Sequence, residues 1–160
     1  MLFLICSKWT IMPLQRFFQK NDEFDEPIED RLAYVEQLFK MAHSDGHMDE
    51  GEYHFILKVA QRLQVEVDFE HLHENLGQIS LDEAASKRFG FDLLFDMSWL
   101  MLVDGEVDDK ELELGMSLGA QLGFHSTNVK KMVLSIGQHK KMGIPPEQIK
   151  HKLKLRFTPD

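Results

Sequence analysis

The chain has 160 residues, of which 43% are hydrophobic and 28% are charged, a composition typical of one globular domain with its own core. The formal net charge of −9 argues against nucleic acid as a partner. Cys6 is the single cysteine, so an internal disulfide is excluded, which fits a reducing compartment and a cytoplasmic protein.

The chain begins with an apolar stretch. Lys8 and Pro13 interrupt it, and it is shorter than the roughly 20 residues that a membrane-spanning helix needs. It also has neither the basic start nor the small-residue cleavage site of a signal peptide. Three alternatives remain for Met1–Phe18: it packs on the body of the protein or on a second copy in a homodimer, it binds a partner, or it makes the protein peripheral at the surface of the inner membrane.

An acidic linker follows. Between Asn21 and Asp30 there are six acidic residues and one proline, a pattern that suits the approach to a helix N-terminus. We therefore expect an apolar segment with its linker at residues 1–26 and one helical domain at 27–160.

Five helices are indicated by apolar residues at three- and four-residue spacing and by cap residues. The first is expected to end near Asp45-Gly46, and Asp49 is expected to cap the second. The others are a short helix over Phe69–Leu76, a long apolar helix from about Leu81 to Val103, and a helix capped by Asp108.

Two more helices are expected, one capped by Ser126 and one that starts at Pro145-Pro146 and carries Ile149, Leu153 and Leu155 on its apolar side. No segment shows sustained alternation of apolar and polar residues between turn signals. The sequence therefore predicts an all-α domain, a compact bundle of about seven helices.

One acidic pattern occurs twice, as D-G-x-Φ-D-x-x-E, where Φ is apolar. It spans Asp45–Glu52 and Asp104–Glu111, and the offset is 59 residues. Four positions are identical in the two copies, and such self-similarity indicates a repeated helix-turn-helix unit. The identical pairs are Asp45 with Asp104, Gly46 with Gly105, Asp49 with Asp108, and Glu52 with Glu111.

Helix capping explains part of this pattern, because the second Asp and the Glu of each copy form a capping box. It explains Asp45 and Asp104 less well, since a carboxylate near a helix C-terminus is mildly unfavourable. A divalent cation, calcium or magnesium, is an alternative explanation, because the donors are oxygens. The candidate metal ligands are Asp45, Asp49, Glu52, Asp104, Asp108 and Glu111.

An ordinary EF-hand is rejected. In the twelve-residue window that ends at Glu52, the opening ligand positions hold Met41 and His43, and the second copy has Leu100 and Leu102 there. A calcium loop needs oxygen ligands at these positions. Zinc held by His43, His47 and a carboxylate remains an alternative for the first copy only, because the second copy has no matching histidines.

The two copies, Met41–Glu52 and Met101–Glu111, each followed by an amphipathic helix, resemble the TerB-like family, the tellurite-resistance domain also found at the front of DjlA-type co-chaperones. The resemblance covers roughly Ile28 to Leu155. It implies a compact all-helical module with acidic turns at which metal or ligand binding has been proposed. It also implies links to stress responses and membrane-associated complexes, with no defined catalytic step.

We therefore expect a non-enzymatic interaction module whose acidic turns bind a divalent cation or a basic protein partner. A metal-dependent hydrolase using the same carboxylates is one alternative, and it requires them to converge in a cleft. A purely structural helical adaptor that docks through Met1–Phe18 is another. No G-x-S-x-G element and no glycine-rich phosphate loop occurs in the chain.

Charge is distributed unevenly along the chain. Residues 1–127 carry 10 Lys and Arg against 25 Asp and Glu, whereas residues 128–160 carry 8 against 2. The simplest interpretation is that the basic end packs against the acidic body. An acidic partner and an anionic lipid surface are the alternatives.

Overall fold

A computed structural model of the protein describes residues 26–74 and 81–157. These residues form seven helices, and no strand occurs among them. The predicted all-α class and the number of helices are confirmed. The helices are α1 (Ile28–Ala42), α2 (Glu50–Arg62), α3 (Phe69–Glu74), α4 (Glu83–Leu100), α5 (Asp109–Gln121), α6 (Ser126–Lys141) and α7 (Pro146–Lys154).

The helix starts follow local capping chemistry. Capping boxes are present at Asp49 and Asp108, as predicted. Two other starts differ from expectation. Asp82 caps α4, accepting the Ala85 N–H at 2.7 Å. His125 caps α6, so Ser126 is its first helical residue and not its cap.

The first helix is shorter than predicted. It ends at Ala42, and the backbone then makes a turn in which the Gly46 N–H donates to the carbonyl of His43 at 3.0 Å. Gly46 has a φ of +87° and Gly105 a φ of +93°. This left-handed conformation is strained for residues with a side chain, which explains glycine at both positions.

Helix α4 lies in the centre of the domain and packs against α1, α5 and α6. Leu93, Leu94 and Met97 are completely buried. Helix α4 runs through Gly90 without interruption. The long apolar run is therefore one buried helix, around which the acidic helix-turn-helix segments are arranged.

A polar clamp ties three helices together inside this core. The Asp96 carboxylate of α4 is buried and accepts the Tyr34 hydroxyl of α1 at 2.6 Å and the Arg62 guanidinium of α2 at 2.5 Å. Burial raises the pKa of Tyr34 well above its usual value, and the Asp96 charge adds to this. The hydroxyl therefore stays protonated and donates to the carboxylate.

The apolar side of α7 contains two of the three residues predicted for it. Ile149 and Leu153 are buried, but Leu155 is 77% exposed. It lies just after the last helical residue, and its side chain turns away from the core. None of the described helices is both long and apolar enough to span a bilayer. The expectations for Met1–Phe18 fall outside the described residues.

Candidate functional site

The two acidic turns make the same local hydrogen bonds. Asp45 Oδ1 accepts the backbone N–H of His47 at 2.8 Å, and Asp104 Oδ1 accepts that of Glu106 at 3.0 Å. Each aspartate thus closes a turn with the residue two positions later. This geometry gives both residues a role in the turn itself, which the sequence argument had not found.

The glutamates complete the capping boxes. Glu52 Oε2 accepts the N–H of Asp49 at 2.8 Å, and Glu111 Oε2 accepts that of Asp108 at 3.3 Å. These bonds involve only one oxygen of each glutamate. The Oε1 atoms remain for another partner.

The two turns lie against each other. A Cβ atom placed on Gly51, in the first turn of α2, would come within 2.7 Å of Val103 Cγ1 in the second acidic turn. A Cβ on Gly115 would approach the methyl groups of Met101 and Met41, which lie just before the two turns. The backbones of the two turns therefore come close where glycine leaves space.

The electrostatics of the glutamates follow from this proximity. The pKa of Glu111 is raised to about 7, chiefly by burial and in smaller part by the charges of Glu52 and Asp104, while the hydrogen bond from the Asp108 N–H opposes the rise. Burial also raises the pKa of Glu52, and the charges of Asp49, Asp45 and Asp104 add to this effect. Carboxylates of one turn therefore act on a glutamate of the other.

The donor chemistry of this site suits calcium or magnesium, since all six side chains offer carboxylate oxygens. Their arrangement is open. Within residues 26–74 and 81–157, no group of three or more His, Cys, Asp or Glu side chains is positioned to hold a metal ion. The two turns supply neighbouring carboxylates, and their side chains would have to rearrange for the free oxygens to coordinate a cation.

The histidine alternative finds little geometric support. The His43 ring lies against Phe39, with centroids 4.2 Å apart, and its Nδ1 is 3.3 Å from the Phe39 carbonyl. Burial lowers the pKa of His43, so the neutral ring is favoured. His73 is its nearest aromatic neighbour from α3, with centroids 5.4 Å apart. Packing of the half-buried ring against Phe39 accounts for His43.

Taken together, the fold and the site define an all-α domain with acidic turns between paired helices. The family model described as Tellurite resistance protein TerB matches residues 13–73. Over this span the chain is similar to the TerB family, which confirms the resemblance there. The match includes α1, the first acidic turn and α2, and it ends before the second turn. No curated protein and no solved structure matches the chain.

Glu111 gives the stability of the protein a pH dependence. Its pKa in the folded state, about 7, lies above the ordinary value of 4.5 for a glutamate, so the folded protein binds the proton more tightly than the unfolded chain. The contribution of this group to stability is therefore fully present below the lower value and is lost as the pH rises through the upper one. Because solvent screens this half-buried group, we expect a loss of about 1 kcal/mol in the free energy of unfolding.

Urea unfolding of Glu111→Gln at several pH values measures this effect. The glutamine keeps the cap acceptor but carries no charge, so its stability should exceed that of the parent at pH values above the transition and match it in acid. Glu113→Gln, on the exposed side of the same helix, is the matched control. Parallel pH curves for parent and Glu111→Gln would contradict the assignment.

Proposed function

We propose that the protein is a non-enzymatic TerB-like interaction module of the cytoplasm, whose paired acidic turns bind a divalent cation, calcium or magnesium. The two helical hairpins, α1–α2 and α4–α5, act in this proposal as two copies of one unit. The observation that carries it is the close approach of the two turns, in which a Cβ on Gly51 would lie 2.7 Å from Val103 Cγ1. Glu52 and Glu111 follow these turns closely enough for the charge of Glu52 to help raise the pKa of Glu111.

The acidic side chains of the two turns lie in an environment that is unfavourable for their charges. Glu52 is only 8% exposed, and its neighbours Asp45, Asp49 and Asp104 are all acidic. Like charges gathered in a partly dry site repel one another and raise each other's pKa. A bound divalent cation removes that repulsion, and hard oxygen donors are the ligands that calcium and magnesium prefer. The free Oε1 atoms of the two glutamates are the first ligands we assign.

The same turns also offer a surface to a basic protein partner. Asp45, Asp104 and Asp108 are exposed, and so are Glu106 and Asp109 beside them. A negative patch of this kind attracts a positively charged partner and accelerates its association. We propose that cation binding, by neutralising the patch, weakens this attraction. Complex formation should therefore weaken when calcium is added.

No observation favours the hydrolase alternative. A hydrolase needs its carboxylates in a cleft around a shared ion. A cavity of about 410 Å³ lies between α1, α4 and α5, with Gln37, Leu93 and Leu118 in its lining, and none of the six candidate ligands takes part in it. The turns open instead towards solvent at Asp45 and Asp104.

Calorimetric titration with calcium, magnesium, manganese and zinc tests the proposal. The full-length parent should give saturable heat with calcium or magnesium. Glu52→Gln with Glu111→Gln should lower the affinity at least about tenfold, because two charged ligands are lost while the capping acceptors remain. Asp45→Asn with Asp104→Asn should weaken binding by a smaller factor.

Glu113→Gln with Glu83→Gln, two exposed positions away from the turns, serves as the control of equal charge. It should bind the cation as the parent does. Negligible heat for the parent and for every variant would overturn the cation site and leave capping as the role of these carboxylates.

A further inference from the structure

The basic end of the chain divides into an inward and an outward set of lysines. The inward set covers the rings of α4: Lys140 Nζ lies 5.4 Å from the Trp99 ring and Lys150 Nζ 5.5 Å from the Phe95 ring. Lys150 also pairs with Asp92 at 3.1 Å. These contacts show that part of the basic end packs on the acidic body, as its simplest interpretation predicted.

The outward set lies on α6. Lys130, Lys131 and Lys141 are exposed, and so is Leu134. Lys130 and Lys131 precede Leu134 by four and three residues, and Lys141 follows it by seven. This spacing puts all four on one helix face. The opposite face of α6 is buried in the core through Val129, Met132, Val133 and Ile136. Within the described part of the chain, none of the three lysines forms an ion pair.

Exposed aliphatic side chains coincide with this basic region. Among the described residues, the large hydrophobic side chains that stand out in solvent are Leu134 at 67%, Met142 at 74% and Leu155 at 77% exposure. All three belong to α6, α7 or the residues that directly follow them. Lys152 and Arg156 are exposed on the same segment. We use the name basic face for these three apolar and five basic side chains, all of them exposed and all between residues 130 and 156.

We propose that the basic face binds an anionic lipid surface. Charge complementarity selects an anionic occupant, since residues 128–160 hold 8 Lys and Arg against 2 Asp and Glu. Isolated aliphatic side chains among lysines suit the boundary between lipid headgroups and acyl chains. There each aliphatic side chain inserts among the acyl chains while the lysines contact the headgroups. Clusters of four to eight Lys and Arg at such a boundary recognise anionic lipids. The residues of this surface are distinct from those of the acidic turns.

Vesicle co-sedimentation of the full chain tests this surface. The parent should sediment with vesicles of phosphatidylcholine that contain about 30% phosphatidylserine, and weakly with pure phosphatidylcholine. Lys130→Gln, Lys131→Gln and Lys141→Gln together should lower the partition coefficient about 100-fold, at about fivefold for each charge. Leu134→Gln should lower the fraction that stays bound when salt screens the charges.

The matched control is Lys58→Gln, Lys87→Gln and Lys110→Gln, which removes the same charge from exposed positions on α2, α4 and α5. Its binding should fall less than about threefold, since those charges lie away from the lipid.

Three results would overturn the proposal. The first is equal binding by the α6 triple variant and the parent. The second is loss of vesicle binding on deletion of Met1–Phe18 but not in that variant. The third is binding of an acidic polypeptide such as polyglutamate without binding to any vesicle, which would assign the basic face to an acidic protein.

Discussion

Replacing Asp96 by alanine is expected to lower the free energy of unfolding by about 3 kcal/mol. The carboxylate is 3% exposed and is the acceptor for both Tyr34 and Arg62. Without it, the Tyr34 hydroxyl is left buried and unpaired, which alone costs about 1–3 kcal/mol. Arg62 loses a charge-assisted bond but keeps partial hydration, because its side chain is 46% exposed.

Urea denaturation followed by circular dichroism gives the measurement. Asp96→Asn should recover part of the loss, since an amide oxygen still accepts the Tyr34 hydroxyl. Asp92→Ala is the matched control one helical turn earlier: its side chain is 37% exposed and pairs with Lys150, so it should cost less than about 1 kcal/mol. Equal losses at the two positions would show that the clamp contributes no more than a surface ion pair.

Gly119→Ala is expected to destabilise the protein by about 2 kcal/mol. Its Cβ would stand 2.5 Å from Val129 Cγ2, with Leu94 Cδ1 at 3.5 Å. Valine has a branched Cβ and few rotamers, so it does not move aside. The contact between α5 and α6 must therefore open, and the gain in helix propensity of about 1 kcal/mol only partly offsets this.

Gly115→Ala, one helical turn earlier in α5, provides the comparison. The nearest atom to its Cβ would be the terminal methyl of Met101, at 2.7 Å. A methionine methyl swings away at low cost, so this variant should lie between neutral and about 1 kcal/mol more stable than the parent. Thermal unfolding of both variants measures the difference. A stable Gly119→Ala protein would mean that α6 shifts outward more easily than the packing indicates.

Most of the helices were predictable because their signals are local. Capping boxes, glycines in turns and apolar spacing each act within a few residues, and they located the turns at Asp45-Gly46 and Asp104-Gly105. Helix ends were less accurate. Helix α1 ends at Ala42, and α6 is capped by His125. In both places hydrogen-bond acceptors one or two residues apart compete for the same backbone N–H groups, and a pattern of residue types does not distinguish between them.

The candidate site was predictable only as two separate turns. The sequence assigned the six carboxylates, but not the contact between Gly51 and Val103 that brings the turns together. It also gave no reason for Asp45 and Asp104 beyond a cation, whereas the structure shows each closing its own turn. The hydrogen bonds of Asp96 could not be predicted from the sequence, since its partners Tyr34 and Arg62 lie 62 and 34 residues away in the chain.

The sequence by itself determined the helical class, the caps and the acidic pattern with its 59-residue offset, because these follow from periodicity and from hydrogen bonds between near neighbours. Tertiary structure decided which carboxylates share an environment, which lysines cover α4 and which face solvent. Those outcomes depend on the packing of helices that are distant in the chain. Burial and charge proximity, which set the pKa of Glu111 and the exposure of Leu134, arise only from that packing.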